Sequence, residues 1–494
     1  MLPRSRWLML AVISSALFLI VIDMTVLYTA LPRLTRELNA TASEKLWIVN
    51  AYPLVVAGLL PGLGTLGDRV GHRRMFLSGL VVFGIASTIA AFSPTPAVLI
   101  GARVLLAVGA AMMMPATLSL IRLTFTDERE RALAIGIWAA VASGGAALGP
   151  VVGGVLLEFF WWGSVFLINV PVVLVAIAAA WTLIPHRPGE SKRPWDLIAS
   201  VQIMVGLVGV VYAIKEIAKR EPSLQALLIA LVIGLGGLAL FVRRQARSAH
   251  PLIDFSLFAN RRFSAGVMAA LTASAALIGF ELVFSQRLQL VQGYSPLEVG
   301  LLLLPIPLAS FIAGPATGLV LPRLGAERLV SGGLLMSGLA LVVYLLSEGI
   351  SPVIWLAALA VMGFGVGASM TAASSAIMLS APADRAGMAA SVEEVSYELG
   401  GALGVAILGS LMSALYTTGL KIPAAIPADP TSFDSLDEAL IHAARLPADQ
   451  AAEVSALARS AFEGAFVGVT AAAAAMLIAV ALVIIWRRRV PVAA

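Results

Sequence analysis

"GTLGDRVGHRR" (64–74) and "GLVLPRLGAER" (318–328) lie 254 positions apart, and together they decide the fold. Four positions coincide: Gly64 with Gly318, Arg69 with Arg323, Gly71 with Gly325 and Arg74 with Arg328. The same offset pairs Glu44 with Glu298, Pro53 with Pro307, and Arg131-Ala132 with Arg385-Ala386. Several matches at a single offset mark a duplicated unit.

What the unit is made of follows from composition. The 494 residues are 60% hydrophobic and 12% charged, about half the charge of an ordinary soluble domain. Mean hydropathy is +0.95. Polar surface on this scale could not cover a soluble protein. Cysteine is absent, so there is no disulfide framework and no thiolate metal site. His72, His186, His250 and His442 are scattered without ligand spacing, and no cofactor is expected. The sequence pI of about 9.7 comes from short basic clusters between apolar runs, which is a membrane-topology pattern and not a nucleic-acid patch.

Runs of about 20 apolar residues, each long enough to cross a bilayer, fall near 7–29, 46–66, 75–93, 97–120, 133–157, 164–184, 196–214, 223–242, 264–288, 299–321, 329–347, 353–375, 387–415 and 463–486. The first lacks a small-residue cleavage site, so it reads as a span and not as a leader. The offset sets spans 1–6 against spans 9–14 and leaves spans 7–8 as an inserted pair. The expected fold is all-α and integral to the membrane, with fourteen helices arranged 6 + 2 + 6. Its parts are a first bundle at 1–186, an inserted pair at 187–250 and a second bundle at 251–494. A repeated six-span half is the construction of transporters with a midplane site between two bundles. Lysine and arginine gather in "GDRVGHRRM" (67–75), "RRQARSAHP" (243–251), "NRRF" (260–263) and "WRRRV" (486–490), which puts both termini in the cytoplasm. The long outer segment 416–462 is acidic and Pro/Ala-rich. Its "SLDE" (435–438) has capping-box spacing, so short amphipathic helices are expected on the outer surface.

Charge at membrane depth costs several kcal/mol and needs a reason. Asp23 lies inside span 1, Arg103 inside span 4 and Glu281 inside span 9. Glu281 falls four residues from the repeat partner of Asp23. Span 13 carries Glu393, Glu394 and Glu398. A start near Gly387 puts the first pair about 10 Å along the helix and Glu398 about 17 Å along it. A start near Val395 would leave the pair at the inner surface. Asp23 and Glu281 are read as two carboxylates facing a central cavity, with a structural lock as the alternative for Asp23 and a hydrated interface for Glu281. For Arg103, a structural salt bridge and a part in proton transfer stand equal. Met24, Tyr28, Trp138, Phe280, Phe284 and Tyr397 are candidates for an adaptable, cation-binding lining, although core or lipid-facing packing is the commoner fate of such side chains.

These motifs resemble those of the major facilitator superfamily. Residues 64–74 are similar to its loop 2–3 signature through Gly64, Asp68, Arg69, Gly71, Arg73 and Arg74, with His72 where arginine is usual. "GAALGPVVGG" (145–154) resembles the antiporter signature of span 5 through Gly145, Gly149, Pro150, Gly153 and Gly154. "IDMTVLYTALP" (22–32) and "ARVLLAVGAA" (102–111) resemble the span-1 and span-4 signatures of the fourteen-span drug:proton antiporter branch, the latter with Leu106-Ala107 in place of glutamine-glycine. Within that branch the likeness is strongest to methyl viologen and biocide efflux pumps, with quaternary-ammonium pumps as cousins. The resemblance implies a monomeric inner-membrane transporter, not an enzyme, that exchanges inward protons for outward lipophilic cations. The loop 2–3 residues would latch the bundles on the inner side. Burial in low dielectric favours the protonated form of a carboxyl group, so one acid could serve proton and drug in turn. An uptake symporter of the same fold is the rival reading. A multispan enzyme would need a catalytic cluster that the sequence does not show, and no phosphate loop points to ATP.

Overall fold

The computed structural model describes residues 3–185, 195–217, 222–249, 251–347, 351–380, 386–423 and 433–489. The domain boundaries drawn at 186 and 250 fall outside them, as do His186, His250 and Arg385 of the repeat. In chain order the helices are α1 (Pro3–Leu38), α2 (Ala42–Val70), α3 (His72–Ala91), α4 (Pro96–Thr124) and α5 (Glu128–Phe159). They continue with α6 (Ser164–Leu183), α7 (Leu197–Ile217), α8 (Leu224–Arg247), α9 (Arg261–Val291) and α10 (Pro296–Leu324). The last five are α11 (Ala326–Ser347), α12 (Pro352–Ser380), α13 (Ala386–Gly419), α14 (Leu436–Ala443) and α15 (Ala448–Arg489).

Among the described residues thirteen of these are long and apolar enough to cross a membrane, which makes this a multi-pass membrane protein. Fourteen were expected. The fourteenth expected span, 133–157, falls within α5, which is one continuous helix over Glu128–Phe159 and whose described apolar part is 144–159.

The duplication is visible as geometry. Thr41 caps α2 by accepting from the Glu44 amide at 3.3 Å, while the Glu44 carboxylate accepts from the Thr41 amide at 2.9 Å. Ser295 and Glu298 form the same reciprocal box at the start of α10, at 3.3 and 2.8 Å. Each box satisfies amides that the first helical turn leaves without carbonyl partners. At the other end of the same two helices, Gly71 and Gly325 turn the chain into the next helix with φ of 100° and 80°. A Cβ at either would strain that left-handed backbone. Two coincident glycines in the sequence are thus two equivalent elbows.

Each bundle has its own packed interior. In the second, Phe280 and Phe284 stack with centroids 5.2 Å apart, and Tyr344 and Phe466 pack edge-on or tilted around them. Helices in lipid gain little from hydrophobic burial and rely on close packing instead, which small residues permit. The inserted pair follows this rule. Gly209 of α7 faces Gly234 of α8, and a Cβ at Gly58 of α2 would meet Met204 of α7. The helix α7 therefore touches the first bundle through α2 and the second through α13.

Segment 433–462 departs from expectation. One short helix, α14, forms, and residues 448–462 belong to the single 42-residue helix α15. The helix α14 does not lie on the surface: Leu436, Asp437 and Ala439 are buried. Its box is half made. Ser435 accepts from the Glu438 amide, but the Glu438 carboxylate reaches across to the Ala42 amide at 3.0 Å. Asp437 pairs with Lys45 of α2 at 2.5 Å. A carboxylate at the N-terminus of α2 meets the positive end of that helix dipole, so a cap within α14 is traded for a tie to α2. Burial holds the Glu438 carboxyl above the usual carboxylate range, partly offset by the Ala42 amide and Lys45.

Candidate functional site

Between the bundles lies a cavity of about 170 Å³. The first bundle contributes Met24 and Tyr28 from α1 and Arg103 from α4; the second contributes Met370 from α12 and Tyr397 and Glu398 from α13. Drug-sized ligands occupy sites of about 300–1,000 Å³, so this cavity has to widen as the bundles part before it takes such a cargo.

Glu398 is 7% exposed, and its Oε2 atom has no hydrogen-bond partner. Arg103 and Glu394 are near enough for their charges to act on it. The Tyr397 hydroxyl donates to the Met370 carbonyl at 3.1 Å, and the Ser274 hydroxyl donates to the Tyr397 carbonyl at 2.7 Å. The ring of Tyr397 is therefore held, while the adjacent Glu398 lines the cavity with its buried Oε2 unpaired. The helix α13 starts at Ala386, one residue from the expected Gly387, so all three glutamates lie within it. Glu393 and Glu394 are half-buried and outside the cavity lining. Ser374 and Tyr397 stand within hydrogen-bonding reach of the Glu393 carboxylate.

Asp23 does not face the cavity. It is fully buried behind Arg103, which donates to its Oδ2 at 2.5 Å. Asn169 donates to its Oδ1 at 3.1 Å and reaches Ser87 at 3.2 Å. Arg103 also donates to the Ile48 carbonyl at 3.2 Å, and its guanidinium lies 4.6 Å from the Tyr52 ring centroid. The deep acid thus orients the deep cation, and Arg103 alone of the two lines the cavity. Sequence reasoning missed Asn169 and Tyr52. The signal for Asn169 was present, since a lone amide in "VFLINVP" (165–171) is as anomalous as a lone carboxylate.

Glu281 is half-buried on α9, close enough to Tyr28 for its charge to act there, and outside the cavity. Of the proposed lining, Met24, Tyr28 and Tyr397 are in place. Phe280 and Phe284 are not: both are fully buried in the aromatic core of the second bundle. Trp138 is half-buried against the core of the first.

The loop 2–3 residues make contacts within the first bundle. The Asp68 carboxylate lies 3.2 Å from His72, and Arg73 donates to the Trp181 carbonyl at 2.6 Å while its guanidinium lies 5.4 Å from the Trp181 ring. Gly71 forms the elbow, Gly64 faces Pro115, and Arg69 and Arg74 are exposed. Among the described residues none of these side chains bridges the bundles.

The bundles instead meet at the end that carries α14. Ser285 and Gln289 of α9 donate to the carbonyls of Tyr28 and Thr29 at 2.9 and 3.1 Å. The glycine-rich run of α5 is a close-packing face. A Cβ at Gly145 or Gly149 would run into α1 at Val21 and Thr25, and one at Gly153 would meet Val26 and Thr29. On the opposite side, Gly154 faces Leu297 of α10, and Gly300 of α10 faces the Pro150 carbonyl. The helix α5 is therefore clamped between its own bundle and the other. In Gly154→Ala the new Cβ would sit 2.5 Å from Leu297 Cα and 2.8 Å from the Pro296 carbonyl, both backbone atoms that cannot rotate away. Overpacking of this kind costs about 1–3 kcal/mol, so Gly154→Ala should open the α14 end. The chain has no cysteine background. A Ser410→Cys reporter, buried at that end, is expected to react with an impermeant maleimide at least about fivefold faster in Gly154→Ala. Unchanged reactivity would show that this contact does not hold the end closed.

The Major Facilitator Superfamily model matches residues 13–405. The chain belongs to the major facilitator superfamily. It is 42% identical to the methyl viologen resistance protein SmvA of Salmonella typhimurium, over 92% of this chain and 93% of that protein. It is 40% identical to the multidrug efflux pump LfrA of Mycolicibacterium smegmatis, over 98% and 96% of the two. The likeness to methyl viologen pumps read from the motifs is thereby shown, and the chain is a transporter and not an enzyme. Among solved structures, a bacterial homolog of the human lysosomal transporter Spinster, inward-facing and unoccupied, superposes with a TM-score of 0.66 at 18% identity, covering 99% of this chain and all of that one. This superposition shows the shared fold.

Proposed function

We propose that this superfamily member exports lipophilic monocations and dications, such as quaternary ammoniums, methyl viologen, dyes and cationic biocides, in exchange for protons. The observation that carries the reading is Glu398, a buried carboxylate with one unpaired oxygen that lines the cavity between the bundles, beside two tyrosines and two methionines. A buried negative charge is costly unless it is paired or protonated. Glu398 is therefore satisfied by a proton in one half of the cycle and by a cation in the other, and competition for it couples the two fluxes. Tyrosine faces and methionine sulfurs supply cation–π and deformable apolar contact without dictating one cargo shape. The names of the relatives SmvA and LfrA support efflux over uptake.

The basic clusters at the end bearing both termini support a cytoplasmic position for that end, in a bacterial inner membrane. With both bundles in one chain the cavity is complete in a monomer, and no cofactor other than the coupling proton is required. The test is efflux of a cationic dye from loaded cells. A protonophore should abolish efflux while cellular ATP is maintained; efflux that persists with ATP present and the gradient gone would overturn the exchange mechanism.

A further inference from the structure

At the end of the molecule bearing the termini, the start of α7 and the last turn of α8 enclose a groove of about 420 Å³ lined by Asp196, Gln202, Leu240, Arg243, Arg244 and Arg247. Arg244 clamps it: its Nε donates to both Asp196 oxygens, at 2.7 and 2.9 Å, while Asp196 accepts from the Ala199 amide at 3.1 Å. That arrangement fixes the ends of the two helices relative to each other. Arg243 and Arg247, one helical turn apart, also line the groove, and neither has a carboxylate partner among the described residues. Among the described residues these two positive charges are without a carboxylate partner in a concave site, next to the neutralised Arg244–Asp196 pair.

Along the rest of α8 the surface is apolar and open. Leu228, Val232, Leu235 and Leu240 are each more than half exposed. A basic groove that continues into an exposed apolar helix face is complementary to an anionic amphiphile, not to a compact soluble anion. We propose that the groove binds the phosphate headgroup of an anionic phospholipid from the leaflet on the side of the termini, with its acyl chains lying along α8. The site is independent of what the cavity carries. It gives the inserted pair a role of its own, because α7 touches both bundles and the lipid would fix the foot of α7.

The experiment is native mass spectrometry of the full-length protein released from detergent with phosphatidylglycerol or phosphatidylcholine of identical chains. Phosphatidylglycerol should be retained preferentially. Near an anionic headgroup each arginine contributes about a fivefold gain, so Arg243→Gln with Arg247→Gln should lower its occupancy about 30-fold and leave phosphatidylcholine unchanged. An unchanged melting temperature of that variant establishes that it folds, and Arg243→Lys with Arg247→Lys should retain most of the binding. As a control for general surface charge, Arg323→Gln with Arg328→Gln should leave phosphatidylglycerol retention intact. Equal retention of the two lipids, or an equal loss in the control pair, would overturn the site. Displacement by excess inorganic phosphate would overturn its assignment to lipid.

Discussion

Glu398→Gln is expected to lower export of a dicationic substrate by at least about 30-fold, and that of a monocation of similar lipophilicity by less. Glutamine preserves the size and polarity of a side chain that is 7% exposed, so packing damage is small. What it removes is the charge. Taking away one partner of a desolvated charge pair costs about 2–5 kcal/mol, which sets the 30-fold floor. The dication should suffer more because Glu394, one turn away on α13, already stands near Glu398. A second cationic centre needs a second carboxylate, whereas a single centre can fall back on the one that remains. The comparison requires matched expression and efflux measured for both substrates. Equal proportional loss would reject charge counting and leave Glu398 with a proton-coupling role alone.

Asp23→Asn is expected to abolish export of every substrate and to destabilise the first bundle. Asp23 does not line the cavity: it is fully buried, and Arg103 and Asn169 occupy its two oxygens. Removing its charge leaves Arg103 buried without a counter-ion, a change that costs about 3–5 kcal/mol. The asparagine would also set an amide donor against the donors of Arg103 or Asn169. Removing both charges, in Asp23→Leu with Arg103→Met, should recover much of the melting temperature, since buried ion pairs are replaceable by apolar packing. Transport should not return, because Arg103 also lines the cavity. Recovery of transport along with stability would make the pair a lock and nothing more.

Much of this was legible in the sequence. The duplication was, because elbows and helix caps demand particular residues: only glycine suits φ of 100° and 80° at Gly71 and Gly325, and Glu44 and Glu298 close equivalent boxes. The anomalous acids were legible as well, since hydrophobic runs make any charge conspicuous. Their directions were not. Asp23 and Glu398 look alike in a linear sequence, yet one is saturated behind Arg103 and the other lines the cavity with an oxygen left unpaired. Helical rotation decides that difference, and without knowing which face meets which neighbour it cannot be assigned. Phe280 and Phe284 illustrate the same limit, because the stripe that could line a cavity also builds a core. The segment after Gly419 was misjudged for another reason. Local capping chemistry in "SLDE" competes with a tertiary partner, the free amide of Ala42, and the tertiary partner takes the Glu438 carboxylate.

The claim at the centre is that cation and proton exchange at Glu398. Its most direct measurement is proton release from the purified protein in weakly buffered detergent, followed with a pH indicator as a dicationic substrate is added. Wild-type protein should release protons as the site fills, and Glu398→Gln should release far fewer at concentrations that still fill its site. Saturable binding of the dication by wild-type protein, seen by quenching of intrinsic fluorescence, with no proton released across the neutral range, would contradict it.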